Sequence, residues 1–476
     1  MNLRPVLLLA WIVLILAGCS PHKPSPISPP ENMPAFFSEG HDPGTPDLDR
    51  WWKQFEDEVL NELMDQVFTE NLDIRQAFAR VEQMQARIRL ANAGRFPQLD
   101  LEGSGGRQRN LTITGPVIQD TYNLSASAVF EVDVWNRLKL ARDSAALEFL
   151  ASREDLRTLY LTLSAGLVEN YFLAKEQLAQ VELAHKTIAI NQNILNLAQS
   201  RYNQGMVSAE DIYLARQNLA AAWSRLPIYQ AAEAQALNRI SILSGQFPDN
   251  VALSPESGLP DIPWEIYAGL PSDLLISRPD IRAALLRVRA ADLEIGQAVA
   301  QRFPSFRLAG VYGGASDELR TILDSPNIFW NLLVQIAQPV LEGGRRAAQV
   351  DVNRAIFKQN LAAYHREVLE AFREVEDSLA LIRGKNQHIQ HLKSVEESAN
   401  RALELSARNY SQGLSDLLMV LESQRALYNA QSSLVTARRE LLVFHVQLMR
   451  ALGGEWMDRH IQDAGLGNQG KRISQP

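Results

Sequence analysis

The chain has 476 residues, 46% of them apolar and 21% charged, with 47 Lys and Arg against 55 Asp and Glu. At roughly 150 residues per domain, that length holds about three domains or one long repeated architecture. A net charge of −8 and a single cysteine exclude the electrostatic footprint of a nucleic-acid binder, an intrachain disulfide and a multi-cysteine metal site.

The longest apolar run, Val6 to Ala17, is too short to span a bilayer as a helix, so a polytopic helical transporter is excluded. Met1 to Gly18 reads as an export signal: Arg4 gives a positive start, Val6–Leu16 is the apolar core, and Ala17-Gly18 are small residues at a cleavage site. Leu16-Ala17-Gly18-Cys19 resembles the bacterial lipobox. In that motif the cysteine is lipidated and becomes the first residue of the mature protein. The one cysteine of the chain stands at the position where it serves this purpose. The next residue is Ser20, not Asp, which by the sorting rule of such lipoproteins implies the outer membrane. Eight prolines between Pro21 and Pro46 favour an extended tether running from the lipid along the body.

The remainder is a tandem repeat. Asp73-Ile74-Arg75 recurs as Asp280-Ile281-Arg282, and Arg95-Phe96-Pro97 as Arg302-Phe303-Pro304. Tyr202-Asn203-Gln204-Gly205 recurs as Tyr410-Ser411-Gln412-Gly413, and Leu243-Ser244-Gly245 as Leu452-Gly453-Gly454. A near-constant offset over this span marks a duplication. Each unit reads as helix, two strands, long helix, return helix. The first helices are expected over Pro46–Gly94 and Arg278–Arg302, ended by Pro97 and Pro304. Strands are expected within 97–134 and 304–340. Tyr122, Leu124, Ala126, Ala128, Phe130, Val132 and Val134 alternate with mostly polar residues, a period of two.

The long helices are expected over Asn136–Asn203 and Gly344–Asn409, where no proline occurs. Leu156, Tyr160, Leu163, Leu167, Tyr171, Ala174, Leu178 and Val181 share their spacing with Phe357, Leu361, Tyr364, Val368, Phe372, Val375, Leu379 and Ile382, a coiled-coil-like seam. Gly205 and Gly413 mark the far ends. Return helices follow over Ala209–Leu243 and Ser415–Leu452, with a kink expected at Pro227. The expected organisation is a signal over 1–18, a lipidated Pro-rich tether over 19–50, repeat 1 over 51–246, a connector over 247–278, repeat 2 over 279–456 and a flexible tail over 457–476.

Strands of this length with one apolar face suit a membrane β-barrel. Four strands cannot close one, and open edges are not tolerated in lipid. The barrel is therefore expected to be shared between chains: two copies give eight strands and a filled interior, three give twelve and a lumen. The fold class is mainly α with a membrane β part.

The tandem unit, the Arg-Phe-Pro at each helix-to-strand step and the Tyr-x-x-Gly tips are similar to the outer membrane efflux protein family, the TolC-like exit ducts. The lipobox and the terminal Ala451-Leu452-Gly453-Gly454-Glu455-Trp456 resemble its multidrug-efflux lipoprotein branch. The resemblance covers about 47–456. It implies a homotrimer with a twelve-stranded pore in the outer membrane and a helical periplasmic tunnel that narrows at its tip. It also implies a periplasmic adaptor and an inner-membrane proton-driven pump as partners. A passive duct is implied as well, with no cofactor beyond the lipid expected on Cys19. Gly205 and Gly413 would sit at the tips that meet the adaptor.

The resemblance also implies a gate after the second tip: Tyr410, Gly413 and Leu421-Glu422-Ser423-Gln424-Arg425, with Glu422 where the family has an aspartate ring. Leu418 lies one turn before Glu422 on the same face. Some relatives have a second acid where this chain has Met419 and an arginine where it has Ser415, so a double ring does not carry over. The bland alternative is a solvated Glu422 paired with Arg425. Leu214-Ala215-Arg216-Gln217 in the first copy lacks the acid, which assigns the gate to the second repeat. His388 and His391 stand at i,i+3, but a solvated helix face explains them better than a metal. No phosphate loop, nucleophile elbow or metalloprotease helix is present, so an enzyme is the poorest reading. The competing reading is a periplasmic structural or adaptor lipoprotein with a coiled coil and no pore.

Overall fold

The computed structural model of the chain describes residues 21–31, 33–38, 48–113, 115–248, 258–260, 271–454 and 456–461. The signal, Cys19, residues 39–47 of the tether, most of the connector and 462–476 lie outside them. Two compact units emerge. One consists of the described residues up to Pro30, Ala79–Glu154 and Arg282–Glu367; the other of Glu31–Phe78, Asp155–Ile281 and the described residues from Val368 onward. Each unit draws on both repeats.

The first helical segment departs from the expected single helix over Pro46–Gly94. A 3-10 turn at Trp51–Phe55 precedes α1 (Glu58–Glu70) and α2 (Leu72–Ala93). The break is made by Asn71, whose extended backbone ends α1. Its Oδ1 accepts the amides of Asp73 and Ile74 at 2.9 and 3.0 Å, and its Nδ2 donates to the Leu243 carbonyl at 2.8 Å. One buried asparagine thus ends one helix, caps the next and ties both to the end of a third.

Then come β1 (Gln98–Thr112), β2 (Gly115–Val132), the 67-residue α3 (Arg137–Asn203) and α4 (Ala209–Leu243). Pro227 sits inside α4, which continues through it. The connector ends in a single helical turn, α5 (Leu274–Ser277). The second repeat supplies α6 (Pro279–Ala300), β3 (Ser305–Ser316), β4 (Ile328–Ala337), the 67-residue α7 (Arg345–Ser411) and α8 (Leu417–Leu452). Both long helices begin and end within two residues of their expected bounds.

The tail reading needs correction. A further helix, α9 (Met457–Ile461), follows α8, with Met457 and Ile461 buried. Trp456 meets Trp52 edge-on at 4.7 Å and Phe68 at 5.5 Å. Burial of two large side chains beside a tryptophan outweighs the polar composition around them. The described part of the tether lies along the body. His22 Nε2 is 3.2 Å from Asp292 Oδ2 and His365 donates to the Ser28 carbonyl at 3.1 Å in one unit. In the other, Phe37 is buried against Phe372 at 5.8 Å.

The second unit holds an aromatic core of Trp51, Trp52, Tyr160, Tyr171 and Phe172, all under 2% exposed. Truncating one such side chain costs about 3–5 kcal/mol. Beside it Lys175 is buried and pairs with Asp57 Oδ2 at 2.7 Å, an oxygen that also accepts the Tyr171 hydroxyl at 2.7 Å. Burial alone would raise the Asp57 pKa. The bonds from Lys175, Tyr171 and the Leu60 amide outweigh it and hold the carboxyl below its usual value.

Candidate functional site

Two regions carry the chemistry, one in each unit. The first is a four-stranded antiparallel sheet in the order β1-β2-β3-β4, which leaves β1 and β4 as its edges. The register aligns like with like across all four strands. Leu101, Ala126, Tyr312 and Trp330 form one rung, and Leu99, Ala128, Gly310 and Leu332 the next. Phe130, Leu308 and Val334, then Val132, Phe306 and Ile336, complete that face. The intervening rungs belong to the opposite face. They include Asp100 with Ser127, Glu102 with Ser125, and Glu131 with Arg307 and Gln335.

The apolar face is exposed: Leu99, Leu101, Trp330 and Leu332 each keep more than 70% of their surface. A monomer in water would not leave such a patch open. From Tyr122 to Val132 on β2, at about 3.3 Å per residue and a tilt near 40°, the band is ~25 Å tall. Beyond Tyr122 the same face turns charged, with Arg107 and Asp120 at 3.5 Å. That height and sharp polar boundary match a bilayer's hydrocarbon layer. Among the described residues no helix is long and apolar enough to cross a membrane.

The second region is the pair of helix tips. α3 and α7 end alike. Gly205 and Gly413 have φ of 72° and 75°, a left-handed conformation that other residues enter at a cost. The Met206 amide reaches back to Arg201 O and the Leu414 amide to Asn409 O, both at 2.9 Å, closing identical Schellman motifs. Asp416 then caps α8, accepting the Met419 amide at 3.1 Å.

The two tips are not equivalent in their packing. Tyr202 is exposed, whereas Tyr410 is buried in a cluster with Leu195, Ala198, Ala215, Leu417, Val420 and Leu421. Arg201 lies 4.5 Å over the Tyr410 ring and donates to the carbonyls of Tyr410 and Ser411 at 2.8 and 3.2 Å. The arrangement recurs on α4 and α8. Arg225 lies 4.2 Å over the Tyr428 ring, whose hydroxyl shares a 2.9 Å hydrogen bond with Tyr229. Burial, with Tyr229 beside it, pushes the Tyr428 pKa up to about 12. Near the tip, Asp211 is raised by burial and by Glu210 and Asp416, against Arg201.

The residues expected at a gate divide into two groups. Leu418, Glu422 and Arg425 are exposed on α8, and Leu418 and Glu422 share a face. Glu422 Oε1 is 3.2 Å from Arg425 Nη1, both half exposed, a pair worth little to stability. Tyr410 does not join them; it is buried beneath Leu417 and Leu421. Its hydroxyl and Gln424 Oε1 are buried with no hydrogen-bond partner among the described residues. Sequence reasoning missed Arg201, Arg225 and Asp211. A signal was available for the first: the repeat offset of 208 sets Arg201 against Asn409, a charge with no counterpart. His388 and His391 are exposed, and among the described residues no group of three or more metal-ligating side chains forms.

A family model described as outer membrane efflux protein matches residues 63–246 and 270–454. The toluene efflux pump outer membrane protein TtgF of Pseudomonas putida is 33% identical over 412 residues, covering 85% of each chain. The solvent efflux pump outer membrane protein SrpC of Pseudomonas putida is 30% identical over 462 residues, covering 94% of this chain and 97% of the other. Among solved structures, the outer-membrane channel OprN superposes with a TM-score of 0.85 at 27% identity, covering 92% of this chain and all of that one.

Proposed function

The chain belongs to the outer membrane efflux protein family, and from that premise we propose that it is the passive exit duct of a tripartite efflux system. It is an outer-membrane efflux protein. The observation that carries the finer reading is the sheet: one face of apolar rungs, an opposite face on which Asp100, Glu102, Glu131, Arg307 and Gln335 stand among apolar residues, and two open edges. Edges cannot face lipid, so three copies close them into a twelve-stranded barrel whose polar rungs line the lumen. The coiled-coil-like seam of α7 supports the same trimer. In it only Tyr364, Val368 and Val375 are buried, while its other positions keep surface for a neighbour.

In this reading α3, α4, α7 and α8 contribute to a periplasmic tunnel. Its tips at Gly205 and Gly413 meet a periplasmic adaptor, and an inner-membrane proton-driven pump supplies the energy. Cys19 carries the lipid that delivers the protein to the outer membrane. Leu418 and Glu422 face the threefold axis as the constriction, and Arg201 on Tyr410 holds the tips together behind it. Relatives are named for toluene, solvent and antibiotic efflux, and the cargo proposed here is of that kind: small, mostly apolar toxic compounds such as drugs, dyes and solvents.

The test is gene deletion scored for susceptibility to a panel of drugs, dyes and solvents, beside planar-bilayer recording of the purified protein. Raised susceptibility and discrete channel openings are expected. Unchanged susceptibility and no conductance from intact oligomers would remove the duct reading and leave the adaptor lipoprotein.

A further inference from the structure

The loop from Asp317 to Asn327, joining β3 to β4, is built unlike the β1–β2 hairpin. The hairpin stays paired up to Thr112 and Gly115, and above Tyr122 its outward face is charged. The β3–β4 loop instead folds back on the sheet. A Cβ at Gly314 would stand 1.8 Å from the Ile322 carbonyl oxygen, so only glycine admits the contact. Gly314 shares its face with Tyr312 and Leu308, which is the apolar face. The loop is therefore folded outward, against the side that meets lipid, rather than over the lumen.

Its side chains agree. Ile322 is buried in the fold-back, while Leu319 and Leu323 are 65% and 68% exposed. The fold-back meets the sheet at Gly314, on the rung next to that of Tyr312 and Trp330, aromatic residues of the kind that sit at a membrane interface. Three of its backbone amides are paired within the loop. Thr321 N donates to Glu318 O, Asp324 N to Thr321 O and Asn327 N to Asp324 O, at 2.9–3.2 Å. Asn327 Nδ2 adds a 2.7 Å bond to Thr321 O. Irregular backbone enters an apolar layer only when its polar groups are paired in this way.

We propose that the β3–β4 loop is an outer-leaflet anchor, with Leu319 and Leu323 inserted among lipid acyl chains in continuity with the apolar band of the sheet. Burial of the two leucines in lipid is favourable, and the loop fixes the height at which the barrel sits. The proposal rests on the barrel reading, which the experiment tests separately.

Single cysteines at Leu319, Leu323, Leu332 and Arg109, in a Cys19→Ala background, would carry nitroxide labels in phosphatidylcholine vesicles. Power saturation then compares collisions with oxygen, which partitions into lipid, and with a water-soluble nickel chelate. Labels at Leu319 and Leu323 should favour oxygen, as Leu332 does, while Arg109 favours nickel. Nickel-favoured signals at Leu319 and Leu323, with Leu332 still in lipid, would overturn the anchor and make the loop aqueous. Exclusion of both reagents would overturn it in favour of contact with another copy. A nickel-favoured Leu332 would instead sink the barrel itself.

Discussion

Arg201 lies 4.5 Å over the ring of Tyr410 and donates to that residue's carbonyl at 2.8 Å, so the tip of the first repeat is clamped onto the tip of the second. The contact combines a charge-assisted hydrogen bond with a cation–π contact on a buried ring. It adds a second donor to a helix-end carbonyl that already accepts the Gly413 amide at 3.0 Å. A bond of this type is worth about 1.5–3 kcal/mol. Arg201→Ala should therefore loosen the tips, raising open probability in planar bilayers with oligomers intact. Arg201→Lys should rescue only in part, because an ammonium cannot span both carbonyls and stack on the ring as a guanidinium does. Wild-type gating in Arg201→Ala would show that the clamp has no part in closure.

The Asp57–Lys175 pair makes a prediction about stability. Lys175 is buried and bonded to Asp57, so Lys175→Met strands a buried carboxylate and should cost about 3–5 kcal/mol, seen as a lower thermal midpoint in detergent. Asp57→Asn with Lys175→Met should recover part of the loss. The Asp57 pKa is lowered, mainly by Lys175 and Tyr171 against the effect of burial. Its contribution is full above the ordinary carboxylate pKa and is lost as pH falls through the lowered folded value. Acid unfolding of the Lys175→Met variant should therefore begin at higher pH than in wild type.

His445 gives the opposite end of the acid range. It is 7% exposed and its Nδ1–H donates to the Leu441 carbonyl at 2.8 Å. Burial lowers its pKa below 6.5, against that bond. A depressed folded pKa means the unfolded chain binds the proton more readily. The stability is then whole above pH 6.5 and declines as pH falls below it. The thermal midpoint should drop between pH 7.5 and 5, and His445→Gln should flatten that drop.

Much of this architecture was legible because repetition and period are linear signals. The Arg-Phe-Pro steps located both strand pairs, and the alternation from Tyr122 to Val132 gave the face that the register then matched across four strands. What the sequence hid depends on contacts between distant residues. Asn71 divides a helix because it reaches Leu243, far along the chain. Trp456 and Met457 order a segment of tail-like composition because Trp52 and Phe68 wait for them. Tyr410, grouped with Glu422 on motif grounds, is buried because Arg201 covers it, and no local pattern announces a cation from the other repeat. Leu418 and Glu422, by contrast, share a face through helical spacing alone.

The gate proposal makes a further prediction. Glu422 forms only a half-exposed pair with Arg425, so Glu422→Ala should change stability by well under 1 kcal/mol. Three carboxylates around one axis would attract cations. Glu422→Ala, more so with Leu418→Ala, should raise single-channel conductance and weaken cation selectivity and block by divalent ions, while Glu102→Ala leaves resting conductance near wild type. Unchanged selectivity in intact Glu422→Ala channels would reduce Glu422 to a surface charge.

The central claim is that one chain supplies only part of a barrel, because β1 and β4 are open edges of an apolar-faced sheet. Native mass spectrometry of the detergent-extracted protein tests it most directly. The account predicts a single species of three chains that retains its β content. A stable monomer with the same β content would contradict it.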